Sequence, residues 1–158
     1  MKILLVNKFL YLRGGDCIHT LNLGQTLRKM GHTVRFYAMD HSKNIENENR
    51  FFYAKEINFS STKLSGKFEA TRRILWGTGI ENGVQKLLKD FHPDIVHLNN
   101  IHSYLSPLIV KLAQKQGIKV IWTLHDYKLI CPTYNCLCKG KICEACFSNK
   151  TNIILRKC

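Results

Sequence analysis

An imidazole and a carboxylate stand side by side at His125-Asp126, directly after the apolar run 118–124. Such a run reads as a strand buried on both faces of a sheet, which puts the pair at the strand's exit. Together the two side chains offer donors and acceptors in fixed directions, a set that suits the hydroxyls of a sugar. Asn99, Asn100 and His102 follow a second apolar stretch, "DIVHL", at 94–98. Gly14-Gly15 stands between an apolar start and a helical pattern, where glycine lets a diphosphate approach a helix N-terminus whose N–H groups and dipole favour anions. Plainer readings stand beside these: a tight turn for the glycines, turn-shaping for Asn100 and His102, and a core role for His97.

Seven cysteines form the other chemical group. Cys17 is alone, whereas Cys131, Cys136, Cys138, Cys143, Cys146 and Cys158 crowd the end of the chain. In a reducing compartment that clustering points to metal more than to disulfides. Cys143-x-x-Cys146 has the spacing of a metal knuckle. Because a structural zinc takes four ligands, the expected set is Cys131, Cys143, Cys146 and Cys158, with Cys136 and Cys138 as alternatives. Reduced surface thiols are the plainer reading.

The elements that must position these residues alternate in type. Residues 2–7 read as a buried strand, and a helix follows Gly14-Gly15, capped by Asp16 and stopped at Gly31. A strand at 33–39 completes a βαβ unit. The Asn-rich stretch 41–65 is the least legible, with 51–59 read as a further strand. A helical region broken by Gly77 and Gly79 then puts Ile80, Val84, Leu87, Leu88 and Phe91 on one face. Ser106-Pro107 starts another helix with the stripe Leu105, Leu108, Ile109, Leu112 and Ala113. Strand–helix alternation with short connections gives an α/β fold, a Rossmann-like parallel sheet with helices on both faces. In such a sheet ligands bind beyond the carboxyl ends of the strands, which is where the polar residues fall.

A chain of 158 residues is long enough for one good core. No apolar run approaches the roughly 20 residues that span a bilayer, and the amino terminus reads as a strand rather than a secretory signal. A cytoplasmic protein is expected. The net charge of +13 calls for an anionic partner: nucleic acid, a membrane face or a phosphorylated small molecule. The basic residues are scattered, which favours the last two.

Five pieces resemble one family in order along nearly the whole chain: "MKILLVNKF", Gly14-Gly15, "LRKMGHTVRFYA", "HPDIVHLNNIHSYLSP" and "VIWTLHDYKLICP". The chain resembles the amino-terminal domain of GT4-type glycosyltransferases of the GT-B fold. The resemblance implies a retaining transfer, without a catalytic metal or other cofactor, from a nucleotide-diphosphate-sugar to a glycan or lipid-linked acceptor in polysaccharide biosynthesis. It carries over Gly14 and Gly15 for the donor diphosphate, and His125 with Asp126 beside it for the catalytic centre; their place after a strand adds Asn99, Asn100 and His102 to the donor diphosphate and acceptor-binding set. His125 would orient the donor sugar while the donor phosphate helps deprotonate the acceptor. The family often has histidine where this chain has Asn99.

On this resemblance, residues 1–126 form the acceptor-side domain and 127–158 a Cys-rich extension, ending before a donor-binding domain. The fragment is expected to be inactive alone. Glu48 and Glu56 match the Glu-x7-Glu spacing of that missing domain, but they lie in the Asn-rich stretch and are read as coincidence. Peripheral contact with an anionic membrane at its inner face is a further expectation. The alternative, a zinc-containing basic nucleic-acid-binding module, leaves the α/β alternation unexplained. A nicotinamide-binding domain lacks its G-x-G-x-x-G fingerprint here.

Overall fold

The computed structural model describes residues 1–57, 64–102, 104–149 and 152. The chain folds as two compact units, Met1–Thr123 and Leu124–Cys158.

The first unit is built on four parallel strands, β1 (Lys2–Val6), β2 (Thr33–Tyr37), β3 (Ile95–Leu98) and β4 (Lys119–Trp122), in the order β2-β1-β3-β4. Around the sheet lie α1 (Gly15–Lys29), α2 (Leu64–Trp76), α3 (Glu81–Phe91) and α4 (Leu108–Gln114). This is the expected Rossmann-like α/β architecture. The central strands are almost wholly apolar because both faces are covered; Leu4, Leu5, Val6, Val96 and Leu98 are all buried. From β1 the chain crosses to β2 on one side, then returns to lay β3 against β1's other edge. The crossover direction therefore reverses between β1 and β3, and in such sheets ligands bind beyond the carboxyl ends of the strands at this switch point.

The helices follow their apolar arcs. Ile80, Val84, Leu87, Leu88 and Phe91 are buried along α3, which His92 ends in a left-handed conformation (φ 50°). Pro107, rather than Ser106, holds the N-cap position of α4; the Ser106 hydroxyl just before it accepts the Leu108 N–H at 3.2 Å and donates to the Ile74 carbonyl at 3.1 Å.

Three further local readings are corrected. Gly14 holds the N-cap position of α1, and Asp16 lies inside its first turn. Through its described part, the stretch 51–59 is not a strand. It begins in a 3-10 turn at Arg50–Phe52 and pairs through an isolated bridge between Met39 and Ala54, while positions 58 and 59 lie outside the described residues. The run 118–124 gives a shorter strand, and β4 pairs only with β3 among the described residues, leaving Ile121 48% exposed.

In the second unit, β5 (Leu137–Cys138) and β6 (Lys141–Ile142) form a small antiparallel hairpin, followed by a short helix, α5 (Ala145–Ser148). Lys139 and Gly140 make its turn with positive φ angles, 50° and 76°.

Candidate functional site

Asn7 follows β1 by one residue and is fully buried at the switch point. A buried amide must satisfy both its ends, and Asn7 does so across three segments. Its Nδ2 donates to the Phe9 carbonyl at 3.0 Å and to Cys17 Sγ, in the first turn of α1, at 3.5 Å. Its Oδ1 accepts the backbone N–H of Asn100 at 3.0 Å. Lys8 N–H adds a bond to the Asn100 carbonyl at 3.1 Å. One side chain thus ties the segment after β1, the start of α1 and the segment after β3.

Gly14 and Gly15 stand at that start of α1. Gly14 is extended (φ −166°), a conformation open to any residue. A Cβ on Gly15 would meet nothing within 4 Å, and one on Gly14 would meet only Asp16 Oδ1 at 3.4 Å. Neither glycine is required by the protein's own packing. The open space beside them leaves room for a ligand to reach the backbone.

Asn99 is buried, and its carbonyl accepts the Trp122 indole N–H at 2.9 Å, which joins the exits of β3 and β4. His102 lies with its ring 5.4 Å from that of Trp122. His97, read as a core histidine, is half-buried within β3 and bonds to the Thr123 hydroxyl at 2.8 Å.

Several side chains not singled out from the sequence share this edge. The Tyr11 and His41 rings stack at 4.8 Å, and Phe9 packs against Tyr11, His41 and Tyr104. Lys8, paired with Asp16 at 3.2 Å, lies 5.9 Å from the Tyr104 ring, and the Arg13 guanidinium sits over Phe9. Aromatic faces beside cations suit a ligand that has both sugar rings and phosphate. The available signal was position: Lys8 and His41 each come just beyond a strand's carboxyl end. Glu48 and Glu56 face different partners, Arg35 at 3.1 Å and His41 at 3.8 Å, so their spacing carries no shared site.

The first unit therefore brings Gly14, Gly15, Asn99 and Asn100 to one edge of the sheet. His125 and Asp126 belong to the second unit, where both are half-buried. Asp126 Oδ1 accepts the Lys128 N–H at 2.9 Å, closing a turn that leads into Cys131, whose own N–H bonds to the Tyr127 carbonyl at 2.7 Å.

Of the expected zinc set, Cys158 lies outside the described residues. Cys131 and Cys146 line one pocket of about 550 Å³ with Leu129, Ile130 and Phe147. Among the described residues no group of three or more His, Cys, Asp or Glu is arranged to hold a metal ion. The Cys131 thiol is pulled down to about 7, first by the Thr133 hydroxyl 3.2 Å away and then, against the effect of burial, by N–H groups of Cys136 and Thr133 and the Cys136 thiol. Since the folded-state value is depressed, ionised Cys131 stabilises the fold above the ordinary thiol range, and that stability is lost as pH falls through about 7. Thr133→Val should move this midpoint upward, read from thiolate absorbance at ~240 nm with chelator present. By contrast, burial, with the Asp16 charge adding, raises Cys17.

A family model described as Glycosyltransferase Family 4 matches residues 13–135. Among curated proteins, an "Uncharacterized 42.6 kDa protein in cps region" of Klebsiella pneumoniae is 30% identical, over 86% of this chain and 39% of that protein. A glycogen synthase of Clostridioides difficile (strain 630) is 28% identical, over 59% of this chain and 18% of that protein. The chain thus spans well under half the length of either relative.

Proposed function

Because the chain belongs to glycosyltransferase family 4, we propose that it supplies the acceptor side of a retaining enzyme that moves a sugar from a nucleotide-diphosphate donor to a glycan or lipid-linked acceptor. The observation that carries this reading is the switch point between β1 and β3, stitched by Asn7 and edged by two glycines whose added Cβ atoms would meet little or nothing. Gly14 and Gly15 let the donor diphosphate approach the start of α1, where Lys8 and Arg13 add positive charge. Tyr11, His41 and Tyr104 offer ring faces to acceptor sugars, and Asn100 and His102 offer polar contacts.

His125 orients the donor sugar, and Asp126 holds the turn that presents it. In a retaining transfer without a protein nucleophile, attack comes from the face the leaving group departs. The donor phosphate takes the acceptor proton, and fixed dipoles and cations stabilise the departing diphosphate. No cofactor takes part in this scheme. Nucleic acid is not among the proposed partners.

The chain itself can be tested. Backbone-amide NMR titration with an oligosaccharide diphosphate should shift Lys8, Tyr11, His41, Asn100 and Tyr104 together. Shifts confined to other surfaces would defeat the reading. Gly15→Ala separates ligand from fold: alanine at the first helical position keeps or raises stability by up to about 1 kcal/mol, yet it should weaken the titration about tenfold by filling the diphosphate's space. A loss of melting temperature in Gly15→Ala would mean that the glycine is structural.

A zinc at the terminal cysteines stands as a separate proposal, outside the transfer chemistry. It would appear as about one zinc per chain in protein purified without chelators, and metal analysis finding none would remove it.

A further inference from the structure

In the second unit the chain from Cys131 to Cys136 closes on itself. The Cys131 carbonyl accepts the Tyr134 N–H at 3.0 Å, and Asn135 Oδ1 accepts the Thr133 hydroxyl at 3.1 Å and the Leu137 N–H at 3.0 Å. Tyr134 and Cys136 both hold left-handed backbone, with φ 56° and 55°. That region is unfavourable for any residue with a Cβ, so two such residues in one short loop persist only where the bonds around them fix the path. The path brings two thiols together. The Cys136 thiol is a hydrogen-bond partner of the Cys131 sulfur, which also meets the Thr133 hydroxyl at 3.2 Å.

The two cysteines differ in access. Cys131 is largely buried, yet it lines the pocket of about 550 Å³ together with Leu129, Ile130 and Phe147, so a small solute can reach it. Cys136 does not line that pocket and is held from the β6 side, where the Cys143 N–H donates to its carbonyl at 2.8 Å. A reachable sulfur backed by a second thiol is the arrangement of a sensing cysteine and its resolving partner.

The same loop supports the turn that carries His125 and Asp126. Lys128 donates its backbone N–H to Asp126 Oδ1 at 2.9 Å. Its ammonium donates to the Pro132 carbonyl, between the two cysteines, at 2.7 Å. A change of path from Cys131 to Cys136 therefore reaches the Asp126 turn through one side chain.

We propose that Cys131 and Cys136 form a peroxide-sensitive dithiol whose oxidation to a disulfide shifts the His125–Asp126 turn. The Cys131 sulfur attacks one oxygen of hydrogen peroxide: an S–O bond forms, the O–O bond breaks, and the departing hydroxide leaves as water with the thiol proton. The Cys136 sulfur then attacks the sulfenic sulfur of Cys131. An S–S bond forms, the S–O bond breaks, and the hydroxyl leaves as a second water with the Cys136 proton. The dithiol loses two electrons and the peroxide gains them. The redox chemistry stands without the sugar-transfer reading, and only its consequence for catalysis rests on that reading.

The full chain is tested with chelator present, so that no metal occupies the sulfurs. Hydrogen peroxide should remove two hydrogens from the intact mass, and dithiothreitol should restore them. Trypsin cuts after Lys128, Lys139, Lys141 and Lys150, which leaves Cys131, Cys136 and Cys138 in one peptide and Cys143 with Cys146 in another. The new bond should lie within the first peptide, between Cys131 and Cys136 on fragmentation. In Cys136→Ser oxidation should stop at a sulfenic acid on Cys131 that dimedone traps, and in Cys131→Ser the reaction with peroxide should slow at least about tenfold. Amide NMR reads the turn: oxidation should move His125 and Lys128, and in Lys128→Met, where the disulfide still forms, the His125 shift should shrink about threefold. A bond that maps to Cys138, Cys143 or Cys146, or thiols that stay reduced in excess peroxide, overturns the pairing. A His125 amide that does not move, or moves equally in Lys128→Met, overturns the link to the turn.

Discussion

Asn7→Leu should cost the first unit about 4 kcal/mol, measured by urea unfolding. Leucine fills a similar volume, so the loss is not a cavity effect. It arises because the Phe9 carbonyl and the Asn100 N–H lose their buried partner at once, at about 1–3 kcal/mol for each orphaned group. That is a large share of the ~5–15 kcal/mol by which domains are stable. The damage should also be local in character. Amide exchange should accelerate first after β1, at the start of α1 and after β3, since these three segments meet at the one side chain. A cost below about 1 kcal/mol would show that the segments hold one another without Asn7.

His125→Ala should lower kcat for sugar transfer by about two orders of magnitude in the protein that carries this chain, on the mechanism proposed above. The rate should fall more than the KM for either substrate rises, because the contact is made to the sugar as charge develops on it. Asp126→Ala should act more weakly. Its carboxylate closes the turn at Lys128, so the variant misplaces His125 rather than removing it. Steady-state kinetics of both variants, with melting curves to show that they fold, separate these effects. A kcat within about threefold of the parent in His125→Ala would remove the histidine from the proposed centre.

The readable parts of this fold were those whose signal is local. The stripe from Ile80 to Phe91 and the apolar run of β1 repeat at periods fixed by helix and strand geometry, so neighbouring residues suffice to reveal them. The stretch after β2 was opaque for the opposite reason. Its asparagines stand in for missing backbone pairing: Asn44 accepts from Leu10 N–H and donates to the Met39 carbonyl, while Asn49 donates to the Phe36 carbonyl. Side chains bonding to distant backbone leave no period to read. The crevice divides in the same way. Gly14-Gly15 and Asn99-Asn100 stood out because polar residues follow apolar runs. The role of Asn7 was hidden, since its partners include residues 10 and 93 positions away.

β1 lies between β2 and β3, and the bond from Lys2 N–H to the Asp94 carboxylate joins residues 92 positions apart. During synthesis the first strand to emerge waits for most of the unit before its second edge is covered. Long-range parallel pairing of this kind is slow to form and leaves sticky backbone edges in the interim. The nascent chain is therefore most vulnerable between completion of β2 and arrival of β3, and chaperone demand should peak in that interval.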